Sequence, residues 1–578
     1  MIRTPHKISK QRNITSESII NLMGVVYAHT KTNDGGDLYL TEYGLDYSNI
    51  LEIKNWYEKK WFETHRERLS GTSAVFRVPT KVVDGKQLNL VVKNNRVGED
   101  VPFDTHTLYE FINAEFNSPW EEFSVVMEMR DSCFGPHYIK IKTQQPLAIY
   151  VPPERLQLWQ TGRSRSKISK ITQRHPGINL DILRQYKMVY HWIEGLNLIE
   201  AFREIGFTDE DIKDHIKSIT NIVTKDLEVK GFIMADIKPS HIIIAEDKIE
   251  HMKALNHHKS GDRWNNQKKF LYTLVESGQY SVVDYELVMR TPTHEKQVKN
   301  SRRHSYLDDQ RDRFLVSPLP PFLTESDIFG VPYVHGHVES TGGLLWVVGY
   351  NPRLFDYFLP ERWRRTPCLA LSNNHEIFYT LTKDNIHIVW KTSRVGDKFQ
   401  LDETGRHEES ICDHGFNSPF EEFAIAHFLS KNGIPTVYIR AIYMTGTTKV
   451  EQVSDYRHYK SHHEIYAIDT QPILREDHDY ISIRGYYNGP DSWVASHEGK
   501  FYKPFDLEHA RHEHILNNDE CLKLMAVTLS RLRNVGYDGT LLELNDIIIA
   551  IDPNNNIVRD NDNLPEARIC NFELLYKI

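Results

Sequence analysis

Apolar and polar positions alternate over "KQLNLVVKNN", Lys86–Asn95. Leu88, Leu90 and Val92 fall on one side and Val91 and Lys93 on the other, the period of a β-strand with a lysine on one face. The period changes at "NSPWEEFSVVMEM", Asn117–Met129. Ser118 can cap a helix there, Pro119 suits its first position, and Glu121 completes a capping box. Phe123, Val126 and Met127 then make the apolar stripe. "MVYHWIEGLNL", Met188–Leu198, reads as a strand followed by a link at Gly195. A long helix is predicted from Thr208, where Thr208 and Asp211 form a box-like start. Ile212, Ile216, Ile219, Val223 and Leu227 hold its spacing, and Gly231 ends it. The next stretch, "GFIMADIKPSHIIIAED" (Gly231–Asp247), sets Asp236, Lys238 and Pro239 just ahead of a short apolar run. "YSVVDYELV" (Tyr280–Val288) is a further short strand, with Asp284 at its end.

The pattern then returns. "GVVYAH" (Gly24–His29) recurs as "GVPYVH" (Gly330–His335), and Gly35–Gly36 as Gly342–Gly343. "VVKNNRVGED" (Val91–Asp100) recurs as "VWKTSRVGDK" (Val389–Lys398), and "FNSPWEEF" (Phe116–Phe123) as "FNSPFEEF" (Phe416–Phe423). "GFIMADIKPSHIIIA" is answered by "GYDGTLLELNDIIIA" (Gly536–Ala550), and "VDYELV" (Val283–Val288) by "CNFELL" (Cys570–Leu575). The order is kept, at an offset of about 300 residues, which implies two copies of one domain. The expected division is an N-terminal extension at 1–23, a first copy at 24–300, a linker at 301–324 and a second copy at 325–578. The linker rests on the polar stretch Thr291–Phe314 and the prolines of "SPLPPF", Ser317–Phe322. A helix from Asn518 to Gly536 answers the one that begins at Thr208.

Composition narrows the class. A chain of 578 residues is too long for one core. Apolar residues are 40%, charged residues 26%, and the net charge is -9 with both signs mixed, which gives nucleic acid no broad basic field. Five cysteines are scattered without a C-x-x-C pair, a usage that fits a reducing cytosol and argues against a disulfide framework or a zinc site. The first residues are basic and polar with no apolar leader core, and no apolar run reaches the roughly 18 residues needed to span a bilayer. The expectation is a cytoplasmic protein without membrane contact. None of the histidine spacings reads as a metal site, and "SHH" (Ser461–His463) and "RHEH" (Arg511–His514) are expected at the surface. The basic run "GRSRSKISKITQR" (Gly162–Arg174) reads as a solvated loop.

The order strand-with-lysine, helix-with-glutamate, hinge strand, D-x-K-P loop and strand-with-acid resembles the protein-kinase-like superfamily, which includes the aminoglycoside kinases. The resemblance covers most of both copies. It implies an α+β fold with an antiparallel-sheet N-lobe and a helical C-lobe in each. It also implies ATP and magnesium as cofactors, with an acceptor that the sequence leaves open between protein and small molecule. By position, Lys93 and Glu122 (or Glu121) would hold the nucleotide phosphates, with "YHWIEG" as the hinge. Ser70 and Gly71 of "RLSGTSAVF" would form the phosphate loop. Asp236 would be the catalytic base and Lys238 would contact the phosphoryl group, while Asp284 and His241 take the metal positions. The chain departs from the family at several points. His241 replaces the metal-binding asparagine, Asp284 is followed by Tyr-Glu, and no G-x-G-x-x-G is present. Roughly 40 residues follow Asp284 before the second copy, so the C-lobe is expected to be reduced, or the second copy to pack in its place. The second copy keeps Lys391 and Glu422 but has Leu541, Glu543, Asp546 and Asn571 where the first has Asp236, Lys238, His241 and Asp284. The resemblance therefore implies an atypical phosphotransferase with an active first copy and a pseudokinase second copy. The alternative is a catalytically dead tandem scaffold.

Overall fold

The structure, a computed structural model, describes residues 19–69, 74–97, 99, 101, 115–131, 140–157, 160, 180–181, 183–255, 263–364, 366–372, 376–398, 414–449, 453–467, 470–491, 502–560 and 563–578. The chain is mixed α+β and divides into two compact units. The first holds residues 1–169 and 181–298, the second residues 170–180 and 299–578.

The first unit is built on an eight-stranded antiparallel sheet. In chain order its strands are Ile19–Leu22, Val25–Lys31, Asp37–Leu40, Glu67–Arg68, Val75–Pro79, Asn89–Asn94, Pro146–Val151 and Lys187–His191. Across the sheet they stand first, second, third, seventh, eighth, sixth, fifth, fourth. The lysine strand is therefore an interior strand, paired with Lys187–His191 on one side and Val75–Pro79 on the other. The expected single buried face becomes two, since Leu90, Val91, Val92 and Lys93 are all buried. Trp56, Trp120, Tyr27, Tyr150 and Tyr190 fill the faces of this sheet. The Pro119–Asp131 helix lies between the sixth and seventh strands in sequence and starts as its residues dictate. Glu121 Nα donates to Ser118 Oγ, and Ser118 Nα donates to the Glu121 carboxylate. Beyond the sheet come the helices Leu198–Glu204 and Asp209–Val229, the latter entered through the Thr208–Asp211 capping box. A small sheet then joins Gly195–Asn197, Ile242–Ala245, Ser281–Val282 and Lys142–Thr143.

The second unit has its own eight-stranded antiparallel sheet. Its strands are Thr324–Ile328, Val331–Val338, Gly343–Val348, Cys368–Ala370, Ile377–Leu381, His387–Thr392, Ile439–Thr448 and His478–Gly485, and they stand in the same order as in the first unit. Alternation along the Gly343–Val348 strand separates two cores. Leu345 and Val347 join Trp363 and Trp390 on one face, and Leu344, Trp346 and Val348 join Phe420 and Phe423 on the other.

Two expected boundaries change. The N-terminal extension ends before Ile19, because Ile19–Leu22 pairs with Val25–Ala28 as part of the sheet. The polar stretch Thr291–Phe314, on which the linker expected at 301–324 rests, is largely the helix Pro292–Arg311, and the division between units falls inside that helix, between Val298 and Lys299. Its buried positions mix His294, Arg303, Asp309 and Gln310 with Val298, Tyr306 and Leu307, so its inward face carries no clean hydrophobic period. Ion pairs add to the core packing of Tyr306 and Leu307: His294 with Glu128 at 2.6 Å, and Arg302 with Asp356 at 2.6 Å and Asp384 at 3.1 Å. The helices Glu246–Ala254 and Arg263–Glu276, set between the D-x-K-P loop and Asp284, were also not foreseen. Among the described residues no helix is long and apolar enough to cross a membrane.

Candidate functional site

Four separated stretches of the first unit converge on Lys93. Its Nζ lies 2.8 Å from Glu122 Oε1 and 3.2 Å from Asp284 Oδ1. The choice between the two helix glutamates follows from the cap: Glu121 is held by Ser118, which leaves Glu122, one residue on, for the lysine. The Tyr190 hydroxyl, from the neighbouring strand, donates to the same Glu122 oxygen at 2.5 Å. Burial opposes the Lys93 charge, but Glu122, Asp284 and Glu286 outweigh it and hold the ammonium well above its ordinary value. Glu286 shows the other side of this crowding. Burial, with Asp284 and Glu122 nearby, pushes its carboxyl up to about 7 against the pull of Lys93 and Arg96.

The D-x-K-P loop faces the same place. Lys238 Nζ is 2.7 Å from Asp236 Oδ2, and both side chains are partly open to solvent, at 48% and 25%. Pro239–His241 is a single 3-10 turn leading into the Ile242–Ala245 strand. It brings His241 Nε2 to 3.7 Å from Asp284 Oδ2, and Val283 Nα donates to the His241 carbonyl at 3.0 Å. Burial lowers the His241 pKa, so the ring favours its neutral form, although Asp284 and Asp236 pull the other way. Burial likewise disfavours the Asp284 carboxylate, but Lys93 and His241 keep its pKa low. Asp284 sits at φ +70°, in the left-handed region that costs a non-glycine residue about 1 kcal/mol, and such outliers concentrate at functional sites.

Asn117 ties these parts together. Its backbone Nα donates to the Glu286 carbonyl at 3.0 Å, and its Nδ2 donates to the carbonyls of Tyr285 and Val288 at 3.3 and 3.0 Å. The start of the Glu122 helix is thereby fixed to the loop that carries Asp284. Asn417 repeats this in the second unit, reaching the Glu573, Phe572 and Leu575 carbonyls at 2.9, 2.8 and 2.6 Å. Arg96 lies over the Phe116 ring and reaches Glu286 at 3.3 Å, and Arg394 lies over Phe416 and reaches Glu573 at 2.6 Å. The sequence carried a signal for all three residues, since Arg96, Asn117 and Glu286 each recur in the second half of the chain.

The second unit partners its lysine differently. Lys391 Nζ is 2.8 Å from Glu573 Oε2 and 3.0 Å from Asn571 Oδ1, whereas Glu422 is held by Arg484 at 2.6 Å. The expected Lys391–Glu422 pairing is therefore replaced. Strand register gives the reason: Tyr190 pairs with Val91 in the first unit, and Arg484 with Val389 in the second. A phenol can share a carboxylate with a lysine as a neutral donor. A guanidinium brings a second charge and takes the carboxylate for itself. Burial disfavours the Glu573 carboxylate, but Lys391 and Arg394 outweigh burial and hold its pKa at about 2. Asp546 and Asn571 face each other at 2.9 Å, where the first unit has His241 and Asp284. Asn571 does not share the positive φ of Asp284.

The structure thus brings together Lys93, Glu122, Asp284, His241 and the Asp236–Lys238 loop. Ser70 and Gly71 lie outside the described residues, between the paired strands Glu67–Arg68 and Val75–Pro79, and so does the basic run Gly162–Arg174. His462, read as a surface residue, is buried at 1% side-chain exposure, while His512 and His514 are exposed as expected. No protein-family model matches the chain, and no curated protein matches it.

Proposed function

We propose that the two units are copies of one kinase-like domain, and that the chain is an atypical ATP-dependent phosphotransferase whose first copy is active and whose second copy is a pseudokinase. One observation carries the reading: Lys93, Glu122, Asp284 and the Asp236–Lys238 loop meet in one place from four chain segments. Phosphoryl transfer depends mainly on positioning and on neutralising charge. Lys93, fixed by Glu122, is placed to hold nucleotide phosphates, and the adjoining strand Lys187–His191 leads into the hinge. Asp236, partly open to solvent, orients an acceptor hydroxyl and takes its proton, and Lys238 beside it meets the moving phosphoryl group.

Magnesium fits this donor set through the hard carboxylate oxygens of Asp284, whose side chain is 30% exposed; the His241 imidazole is the poorer match. When bound, magnesium would neutralise phosphate charge. ATP turnover by the full chain, measured as ADP formation with candidate acceptors, tests the assignment. Asp236→Asn should lower it at least about 100-fold while Lys391→Met leaves it unchanged. Equal turnover in wild type and Asp236→Asn would overturn it.

A second reading, a catalytically dead tandem scaffold that binds nucleotide or a protein partner, is favoured by His241 at a metal position. Nucleotide binding with no Asp236-dependent turnover against any acceptor would select it.

A further inference from the structure

We propose that the second unit holds a divalent transition-metal site of the zinc class, made by Glu421, His458 and His462. The ligand atoms of these three residues lie within 4.8 Å of one another. His458 Nδ1 is 2.8 Å from Glu421 Oε2, and His462 Nε2 is 3.9 Å from the same oxygen. These values bracket the donor–donor spacing of roughly 3.3 Å in a tetrahedral site with zinc bonds near 2.0 Å. The two histidines are four residues apart, at the Arg457–Ser461 helix and its C-cap, so both rings lie on one face. Glu421 comes from the first turn of the Pro419–Lys431 helix.

Both rings turn a nitrogen toward this place, His458 Nδ1 directly at the carboxylate and His462 Nε2 beside it. His458 Nε2 is 3.1 Å from the His414 carbonyl, which can only accept, so Nε2 bears a hydrogen, and an ion bound at Nδ1 would take the place of the hydrogen that nitrogen shares with Glu421. The Ser461 hydroxyl spends its hydrogen on the His458 carbonyl, so at 2.9 Å it accepts from His462 Nδ1. His462 Nε2 is then the lone-pair nitrogen. Its neighbour Ser418 Oγ, at 2.8 Å, already accepts from Glu421 Nα and can turn its own hydrogen toward the ring. Two imidazole nitrogens and a carboxylate oxygen thus lie together, and a divalent ion between them would replace the hydrogen shared by His458 and Glu421 and the hydrogen bond from Ser418. Outer hydrogen bonds from a backbone carbonyl and a hydroxyl are the supports that metal-binding histidines use. Nitrogen donors with a single carboxylate select zinc and its neighbours over magnesium or calcium. The ion would clamp the 453–467 segment onto the start of the Pro419–Lys431 helix. It is independent of nucleotide chemistry in the first unit.

The test uses the full chain, stripped of metal with a chelator and titrated with Co²⁺ followed by visible absorption, then with Zn²⁺ as competitor. One equivalent of Co²⁺ with a tetrahedral d–d band, displaced by Zn²⁺, is expected. His458→Gln and His462→Gln should each weaken binding at least tenfold. Glu421 also caps its helix, so the histidine variants, checked for an intact far-ultraviolet spectrum, carry the test. Absence of the band at 0.1 mM-order Co²⁺, or equal binding by wild type and the double histidine variant, would overturn the site. The group would then be a protonated His458–Glu421 ion pair.

Discussion

Lys93→Met should be one of the costliest single changes in the first unit. The Lys93 side chain is 5% exposed and Glu122 is fully buried, with 2.8 Å between their charged atoms. At an effective dielectric of about 20, that separation corresponds to roughly 6 kcal/mol of attraction before desolvation is subtracted. The substitution removes the cation and leaves Glu122, Asp284 and Glu286 crowded together, so the loss exceeds the net worth of the pair. Breaking a buried ion pair from one side costs about 3–5 kcal/mol. For a unit of this size, that lowers the melting temperature by roughly 10 °C. Scanning calorimetry of the full chain reads the shift. A cycle with Glu122→Gln sharpens it: once Glu122 is neutral, losing Lys93 should cost about 1–3 kcal/mol less. A Lys93→Met loss below about 1 kcal/mol, as for a solvent-facing lysine, would refute the reasoning.

Three further outcomes follow from other parts of the structure. Asn117→Ala removes the Nδ2 bonds to the Tyr285 and Val288 carbonyls, which should cost about 1–2 kcal/mol and weaken magnesium-dependent nucleotide binding, read by calorimetry on the folded variant. Gly195→Ala would set a Cβ 2.2 Å from the Ile244 carbonyl oxygen and should destabilise the first unit by about 1–3 kcal/mol in a denaturant titration. Asp491 titrates far below its ordinary range: burial raises its pKa, but Arg440 at 2.7 Å and Arg313 at 2.8 Å outweigh this and hold it at about 2. Because the folded value is depressed, its contribution of roughly 2 kcal/mol is present above the unfolded pKa near 4 and is lost as pH falls through about 2. The stability gap between wild type and Asp491→Asn should therefore close between pH 5 and pH 2, and a gap that stays constant would contradict the ion pairs.

What could be read from the sequence divides along physical lines. Elements with a strand or helix period or a clear cap in the sequence were legible: the lysine strand, the capped Pro119–Asp131 helix, and the helices beginning after Thr208 and Asn517. The Pro292–Arg311 helix was not, because its buried face mixes Val298, Tyr306 and Leu307 with His294, Arg303 and Asp309, whose partners Glu128, Asn385 and Asn351 lie far away in sequence. The candidate site was legible where a residue type recurs in both halves of the sequence, as Lys93 and Glu122 do, and in the D-x-K-P spacing of the first half. Its local wiring was not: a single exchange, Tyr190 for Arg484, moves the lysine of the second unit from Glu422 to Glu573. The Glu421–His458–His462 group was hidden for a related reason. The four-residue histidine spacing is visible, but the carboxylate arrives from another element, and only the fold shows that His462 is buried.

The central claim is that the first unit binds nucleotide and magnesium through Lys93 and Asp284. It is tested most directly by titrating the full chain calorimetrically with ATP, with and without magnesium, as wild type and as Asp284→Ala. The account predicts saturable binding that requires magnesium and weakens at least about tenfold in Asp284→Ala, a difference of about 1.4 kcal/mol. An absence of binding at millimolar ATP, or binding indifferent to both magnesium and Asp284, would contradict it.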